Sequence, residues 1–196
     1  MSTPPKVDAA QTVIPTRTFV WLAPVGTAAP ADATIALGTA WRSVGYTSED
    51  SLKFNETPDI QTLKSGQSDF PIRYFQVGDA ATIEVDLEQW SAANFQAVYG
   101  GGEITEIVVT GPPTATHYKF TPPRVGGRTE VAALIEVFDG GKHYRFMVPR
   151  CMQMDGVASD MSKGAASKLP LRLGVLGDDD TDPWYLITDD PAFADS

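Results

Sequence analysis

Cysteine, histidine and long apolar runs are nearly absent from this chain, and each shortage closes off a class of function. Cys151 is the only cysteine, which excludes an intrachain disulfide and any multi-cysteine metal site. Beside Met152 it reads as a small buried hydrophobe rather than a nucleophile. The two histidines, His117 and His143, fall inside expected strands next to Tyr118 and Tyr144. The local sequence supplies no carboxylate and nucleophile partners for them. No apolar run is long enough to span a bilayer. The amino-terminal MSTPPKVDAAQT has no apolar signal core, so classical secretion is not expected and synthesis in a reducing interior is.

Basic residues are also in short supply. Against 25 acidic side chains stand 15 Lys and Arg, a formal net charge of −10, which argues against a protein that wraps nucleic acid, because phosphate neutralisation needs concentrated positive charge. An acidic wall past which nucleic acid moves is compatible with the same balance. Phosphate loops are missing too. Gly100-Gly101-Gly102, Gly126-Gly127 and Gly140-Gly141 do not open a helix after a strand with the required spacing, and there is no Gly-x-Ser-x-Gly elbow. The cluster Asp178-Asp179-Asp180-Thr181-Asp182 lacks the glycine and closing glutamate of a calcium loop and reads as a solvated acidic loop. No cofactor, no metal site and no catalytic residue are expected, and the chain is not expected to be an enzyme.

What remains is a β-pattern. The stretch Asp69 to Gly100 organises the chain. Ala81, Ile83, Val85 and Leu87 alternate with Thr82, Glu84, Asp86 and Glu88, giving a strand with one apolar and one acidic face. Phe70 to Val77 reads as a partner run joined to it by a turn at Val77-Gly78-Asp79-Ala80. From Glu88 the period becomes helical through Phe95, Val98 and Tyr99, and the three glycines stop it. Further strands are expected at Thr18–Val25, from Trp41, and in two short pieces, Ser51–Glu56 and Asp59–Lys64, divided by Pro58. Beyond the helix they are expected at Glu103–Thr110, His117–Thr121, Arg128–Phe138, Lys142–Val148 and Leu169–Leu176. The tail after Gly177 holds seven carboxylates and no base, with a short apolar anchor at Trp184–Ile187. Residues 1–16 read as a flexible arm, 17–190 as a single β-domain, and 191–196 as a terminal end. The fold class is mainly β: a β-sandwich or partly closed barrel with one packed helix and a long hairpin arm, the alternative being an α+β layer arrangement. Residues 47–70 are too polar on both faces to sit in a core. They suit contacts between subunits, the plainer alternative being a floppy hairpin.

The order of features resembles the major tail tube proteins of phages with long non-contractile tails. The similarity is carried by Ala29-Pro30-Ala31-Asp32-Ala33-Thr34, Ala40-Trp41, Val44-Gly45-Tyr46, Ser48-Glu49-Asp50, Leu52-Lys53-Phe54, the Phe70–Tyr99 unit, and Trp184-Tyr185-Leu186 with Asp189-Asp190-Pro191. It covers about residues 18–190. One departure is Gln67-Ser68-Asp69, where members often carry a tryptophan. The resemblance implies a virion protein forming stacked hexameric rings around a channel for DNA, with no specific DNA binding and no membrane contact. Its implied partners are copies of itself, a tail tip or initiator complex, a tape measure protein and a tail terminator. It also implies that 47–70 contacts other subunits, through Glu49, Asp50, Lys53, Glu56, Asp59 and Lys64. Glu84, Asp86 and Glu88 are candidates for the lumen lining, although an alternating strand can present the same face outward. Val7 and Val13 of the arm are expected to order on assembly. Other ring-forming tail components (terminator, neck or minor tail proteins, or the inner tube of a contractile device) and a carbohydrate-binding sandwich module are the competing readings.

Overall fold

The computed structural model describes residues 9–111, 113–159, 161–177 and 180–194. Val7 of the arm and Asp178 and Asp179 of the acidic tail lie outside the described residues. Strands run at β1 (Arg17–Pro24), β2 (Arg42–Ser43), β3 (Lys53–Ser65), β4 (Ser68–Leu87), β5 (Glu103–Val109), β6 (Ala115–Thr121), β7 (Glu130–Asp139), β8 (Lys142–Gln153), β9 (Leu169–Val175) and β10 (Tyr185–Thr188), with one α-helix, α1 (Ala92–Tyr99). Eight strands form one sheet in the order β2-β1-β7-β8-β9-β4-β3, with β10 alongside β8, while β5 and β6 make a separate hairpin.

Strand β8 is where this sheet folds over. Its first half pairs with β10 through Tyr144–Met147, and its end pairs with β9 through Cys151–Gln153. That fork lays β9 and β4 over β1 and β7. The alternating apolar residues of both layers then meet: Val20 and Leu22, Ala133 and Ile135, Val148 and Cys151 on one side, Ile83, Val85 and Leu87 with Leu169, Leu171 and Leu173 on the other. Each fully buried aliphatic side chain contributes about 1.5–3 kcal/mol. Among the described residues the architecture is mainly β and sandwich-like with one α-helix, as the pattern of short strands implied. Cys151 lies wholly inside this core, with its thiol pushed up to about 12 by burial and then by the Glu130 charge.

A second layer covers the back of β1, β7 and β8. Trp41 and Leu37, from the loop after β1, pack on Ala23, Ala132, Leu134 and Met147. A buried ion pair secures that loop. Arg145 reaches Glu136 at 2.7 Å and donates to the Asp32 carbonyl at 2.7 Å, and Trp21 Nε1 donates to Glu136 at 2.6 Å.

Three sequence expectations change. Val77–Ala80 is not a turn: β4 runs unbroken through it, and the chain reverses at Gly66-Gln67, between Ser65 and Ser68. Asp59 faces Gly78 and Ile60 faces Gln76, so Val77 is the extra residue of a bulge. A glycine within a strand marks a bulge as readily as a turn. Likewise Pro58 does not divide β3, because β3 is an edge strand and edges tolerate proline. The third change is at Glu88, which precedes the helix rather than opening it. Ser91 caps α1 by accepting from the Asn94 N–H at 3.1 Å. At the other end Gly100 takes the left-handed conformation (φ 72°) and closes the helix as expected.

Candidate functional site

Hairpin β3–β4 is paired from Lys53↔Glu84 to Ser65↔Ser68, with register shifts between Asp59 and Ile60 and between Leu63 and Ser65, where residues 69–72 bulge opposite Lys64. Only its base belongs to the core, where Phe54 packs on Phe146 and Trp184. From Thr57 out to Ser65 on the shorter strand, at about 3.4 Å per residue, the hairpin projects roughly 27 Å with both faces in solvent. Its apolar side chains are correspondingly bare: Phe70 is 79% exposed, Tyr74 65% and Ile72 57%. A two-stranded ribbon is marginal in water without a packed face, and a contiguous exposed apolar surface marks a contact site. The sequence reading placed Phe70–Val77 in the central unit, and the structure moves it onto this projection. Pro71 inside the run was the signal against a central strand.

All six charged residues assigned to subunit contacts are exposed, but they do not form one patch. Glu49 and Asp50 occupy a turn at the hairpin's base, where Asp50 is left-handed (φ 57°). That turn is fastened to β4, as the Ser48 N–H donates to the Asp86 carbonyl at 2.8 Å and the Asp86 N–H to Ser51 Oγ at 3.2 Å. Lys53 and Glu56 follow near the base, Asp59 sits at the bulge and Lys64 is one residue from the tip strand's end.

The acidic face of β4 is real at Glu84 and Asp86, whose neighbours Ile83, Val85 and Leu87 point into the core. It is not purely acidic. Arg172 of β9 reaches over it, 2.8 Å from Asp86 and 3.9 Å from Glu84, and Asn55 Nδ2 donates to Glu84 at 3.1 Å. Lys53 stands directly opposite Glu84. Glu88 lies beyond the strand end and outside this group. Sequence reasoning missed Arg172 because the pairing of β9 with β4 joins residues far apart in the chain.

The carboxyl-terminal segment closes back on β8. Asp190 accepts from Tyr144 Oη at 2.5 Å and Lys142 Nζ at 2.9 Å, and Asp189 pairs with His143 Nδ1 at 2.7 Å. These bonds fasten the chain end rather than assemble a reaction centre. Among the described residues no group of three or more His, Cys, Asp or Glu is placed to hold a metal ion, and no helix is long and apolar enough to cross a membrane.

A mainly β subunit whose bare apolar surface lies on a projecting hairpin belongs to the class of structural proteins that work through surface contact. The chain matches the family model for the phage tail tube protein over residues 5–196, nearly its whole length, and belongs to that family. No curated protein matches it. Its role is therefore structural, in the tail of the virion, and family membership implies assembly with copies of itself and with other tail components.

Proposed function

We propose that this chain forms hexameric rings that stack into the tube of a long, non-contractile tail, through which DNA passes without specific binding. The observation that supports this most directly is the β3–β4 hairpin, which carries Phe70, Ile72 and Tyr74 far from any core of its own. In an assembled wall those side chains are buried against adjacent copies. Glu49, Asp50, Lys53, Glu56, Asp59 and Lys64 then lie along the contact, where charges set register and exclude wrong pairings more than they add affinity. The outer face of β4 is assigned to the lumen, with Glu84 and Asp86, and Glu88 at its margin. Arg172 and Lys53 moderate that face, so passing phosphate meets weak repulsion rather than a strongly acidic wall.

Association of identical stacking subunits needs a gate. The hairpin and the residues around Val13, which is exposed here, provide one, since their ordering cost falls due only on binding. The isolated subunit is thus monomeric or weakly ringed. A tail tip initiator starts growth, a tape measure protein sets its length and a terminator ends it.

Electron microscopy of the concentrated protein tests the reading, with rings and tubes expected. A variant lacking residues 58–65 and 68–79, so that Thr57 and Ala80 flank the Gly66-Gln67 turn, keeps the Ser48–Asp86 fastening. It is expected to fold and to stay monomeric. Normal tubes from that variant would sink the proposal.

A further inference from the structure

A second bare apolar surface lies beside the helix. The β5–β6 hairpin leans on α1 through aromatic contacts: Phe120 lies 5.6 Å from Phe95 and 5.2 Å from Tyr99, centroid to centroid. This leaves a recess of about 430 Å³ lined by Ala92, Phe95, Ile104, Tyr118 and Phe120. Its lining is almost wholly apolar, the Phe95 ring is backed by Trp90 at 5.2 Å, centroid to centroid, and Tyr118 is 73% exposed.

The position is fixed by backbone constraints. A Cβ at Gly102, where φ is 109°, would come within 2.7 Å of the Thr121 carbonyl oxygen and 2.8 Å of the Phe120 ring. Glycine there lets the hairpin return against the helix. A surface pocket formed this way, and left unfilled by its own chain, is suited to an inserted aromatic or aliphatic side chain.

We infer that this recess receives the distal end of another copy's β3–β4 hairpin, with Phe70, Ile72 or Tyr74 as the inserted side chains. The inference rests on the tube reading above and names the receiving surface. The occupant is argued from complementarity within one sequence. The hairpin is convex and apolar, the recess concave and apolar, and neither is covered in the monomer. Charge agrees. Between Ile60 and Val77 the hairpin carries Lys64 and Arg73 against Asp69, a balance of +1 (2 − 1) on a chain of −10. The β5–β6 hairpin carries Glu103 and Glu106 against Lys119, a balance of −1 (1 − 2). Glu106 stands directly opposite Tyr118 at the recess. The two surfaces are different patches, so the contact is heterologous, and such contacts propagate from copy to copy in rings or filaments.

Cysteine pairing tests the docking. Cys151 is fully buried, so introduced thiols are the reactive ones. Phe70→Cys and Tyr118→Cys proteins, mixed, assembled and oxidised, are expected to give disulfide-linked dimers. A control pairing Phe70→Cys with Tyr46→Cys, a tyrosine equally exposed elsewhere (73%), is expected to give none. In parallel, Tyr118→Asp is expected to raise the concentration needed for assembly at least tenfold, with an unchanged thermal midpoint. Tubes that form without any 70–118 link, or that tolerate Tyr118→Asp, overturn the docking while leaving the tube reading in place. No tubes from the wild-type protein, together with no 70–118 link in the mixed cysteine variants, overturns both.

Discussion

Arg172 donates to Asp86 at 2.8 Å and also to the Val85 carbonyl at 3.0 Å, so one β9 side chain ties the outer face of β4 to its backbone. Both partners are about a quarter exposed, and surface pairs of this kind contribute about 0–1 kcal/mol. Arg172→Gln is therefore expected to lower stability by no more than about 1 kcal/mol in urea unfolding. Its larger effect falls on charge: the face gains one net negative unit. If that face lines the lumen, phage carrying the substitution eject DNA with an altered salt dependence while their tubes look normal in micrographs.

The Glu136–Arg145 pair behaves differently because it is buried, with both residues about 5–6% exposed. Removing one member leaves the other charged and enclosed, a change that costs about 3–5 kcal/mol. Arg145→Met is expected to fall in that range and to loosen the loop around Asp32, whose carbonyl Arg145 holds. The double variant Glu136→Leu with Arg145→Met is expected to recover much of the loss. A double-mutant cycle in urea measures the coupling, and additive single effects would contradict it.

Legibility in the sequence followed the range of each interaction. Alternation at Ile83, Val85 and Leu87 and the glycine stop at Gly100 are local, and the structure matches both. Asp139-Gly140-Gly141 is an equally local turn signal, and β7 and β8 turn there. Gly78 misled because a glycine between apolar runs looks the same whether the chain turns or bulges. Only the opposing β3, visible in the register, distinguishes them. The Arg172–Asp86 and Arg42–Asn94 contacts escaped for another reason. Each joins strands or a helix brought together by sheet order, and no spacing rule relates their positions. The recess beside α1 was hidden likewise, since it needs β6 to fold back on the helix.

The end of the chain predicts a pH response. Asp190 is nearly buried, and its carboxyl is held at about 2 rather than 3.8 by the Tyr144 hydroxyl, the Ala192 N–H and Lys142. A carboxyl depressed in the folded state stabilises it fully above the unfolded value, and that contribution drains away as pH falls from about 4 through about 2. Asp189, lowered mainly by its His143 hydrogen bond, acts in the same direction. The Tyr144 phenol, raised to about 12 by the same bond, loses its contribution as pH rises from 10 toward 12. Asp190→Asn is expected to flatten the acid limb of thermal stability, and Tyr144→Phe the alkaline limb. Exchange of the Tyr185–Thr188 amides should accelerate in both variants. An unchanged acid limb in Asp190→Asn would show that this clasp does not fasten the chain end.

Asn94 anchors the helix to the sheet through three bonds from one buried side chain. Its Oδ1 accepts from Arg42 Nη1 at 2.7 Å, and its Nδ2 donates to the Val44 and Gln89 carbonyls, each at 2.8 Å. Burial depresses the half-buried Arg42 guanidinium pKa, and its N–H groups are met by that amide oxygen, by the Ala93 carbonyl at 3.2 Å and by the Ser43 carbonyl at 3.3 Å. Asn94→Ala strands two carbonyls and weakens the hold on a desolvated cation, at about 1–3 kcal/mol for the uncompensated groups. Asn94→Asp keeps the acceptor for Arg42 but sets a carboxylate oxygen against the Val44 and Gln89 carbonyls. It is expected to lose stability as well, less so at low pH, where the protonated acid can donate one of those bonds. Because α1 forms one wall of the recess lined by Phe95 and Ala92, both variants should also assemble less readily than their stability alone dictates. Urea unfolding paired with sedimentation of assembled tubes separates the two effects. Assembly that tracks stability alone would mean that the helix serves the core and not the contact between copies.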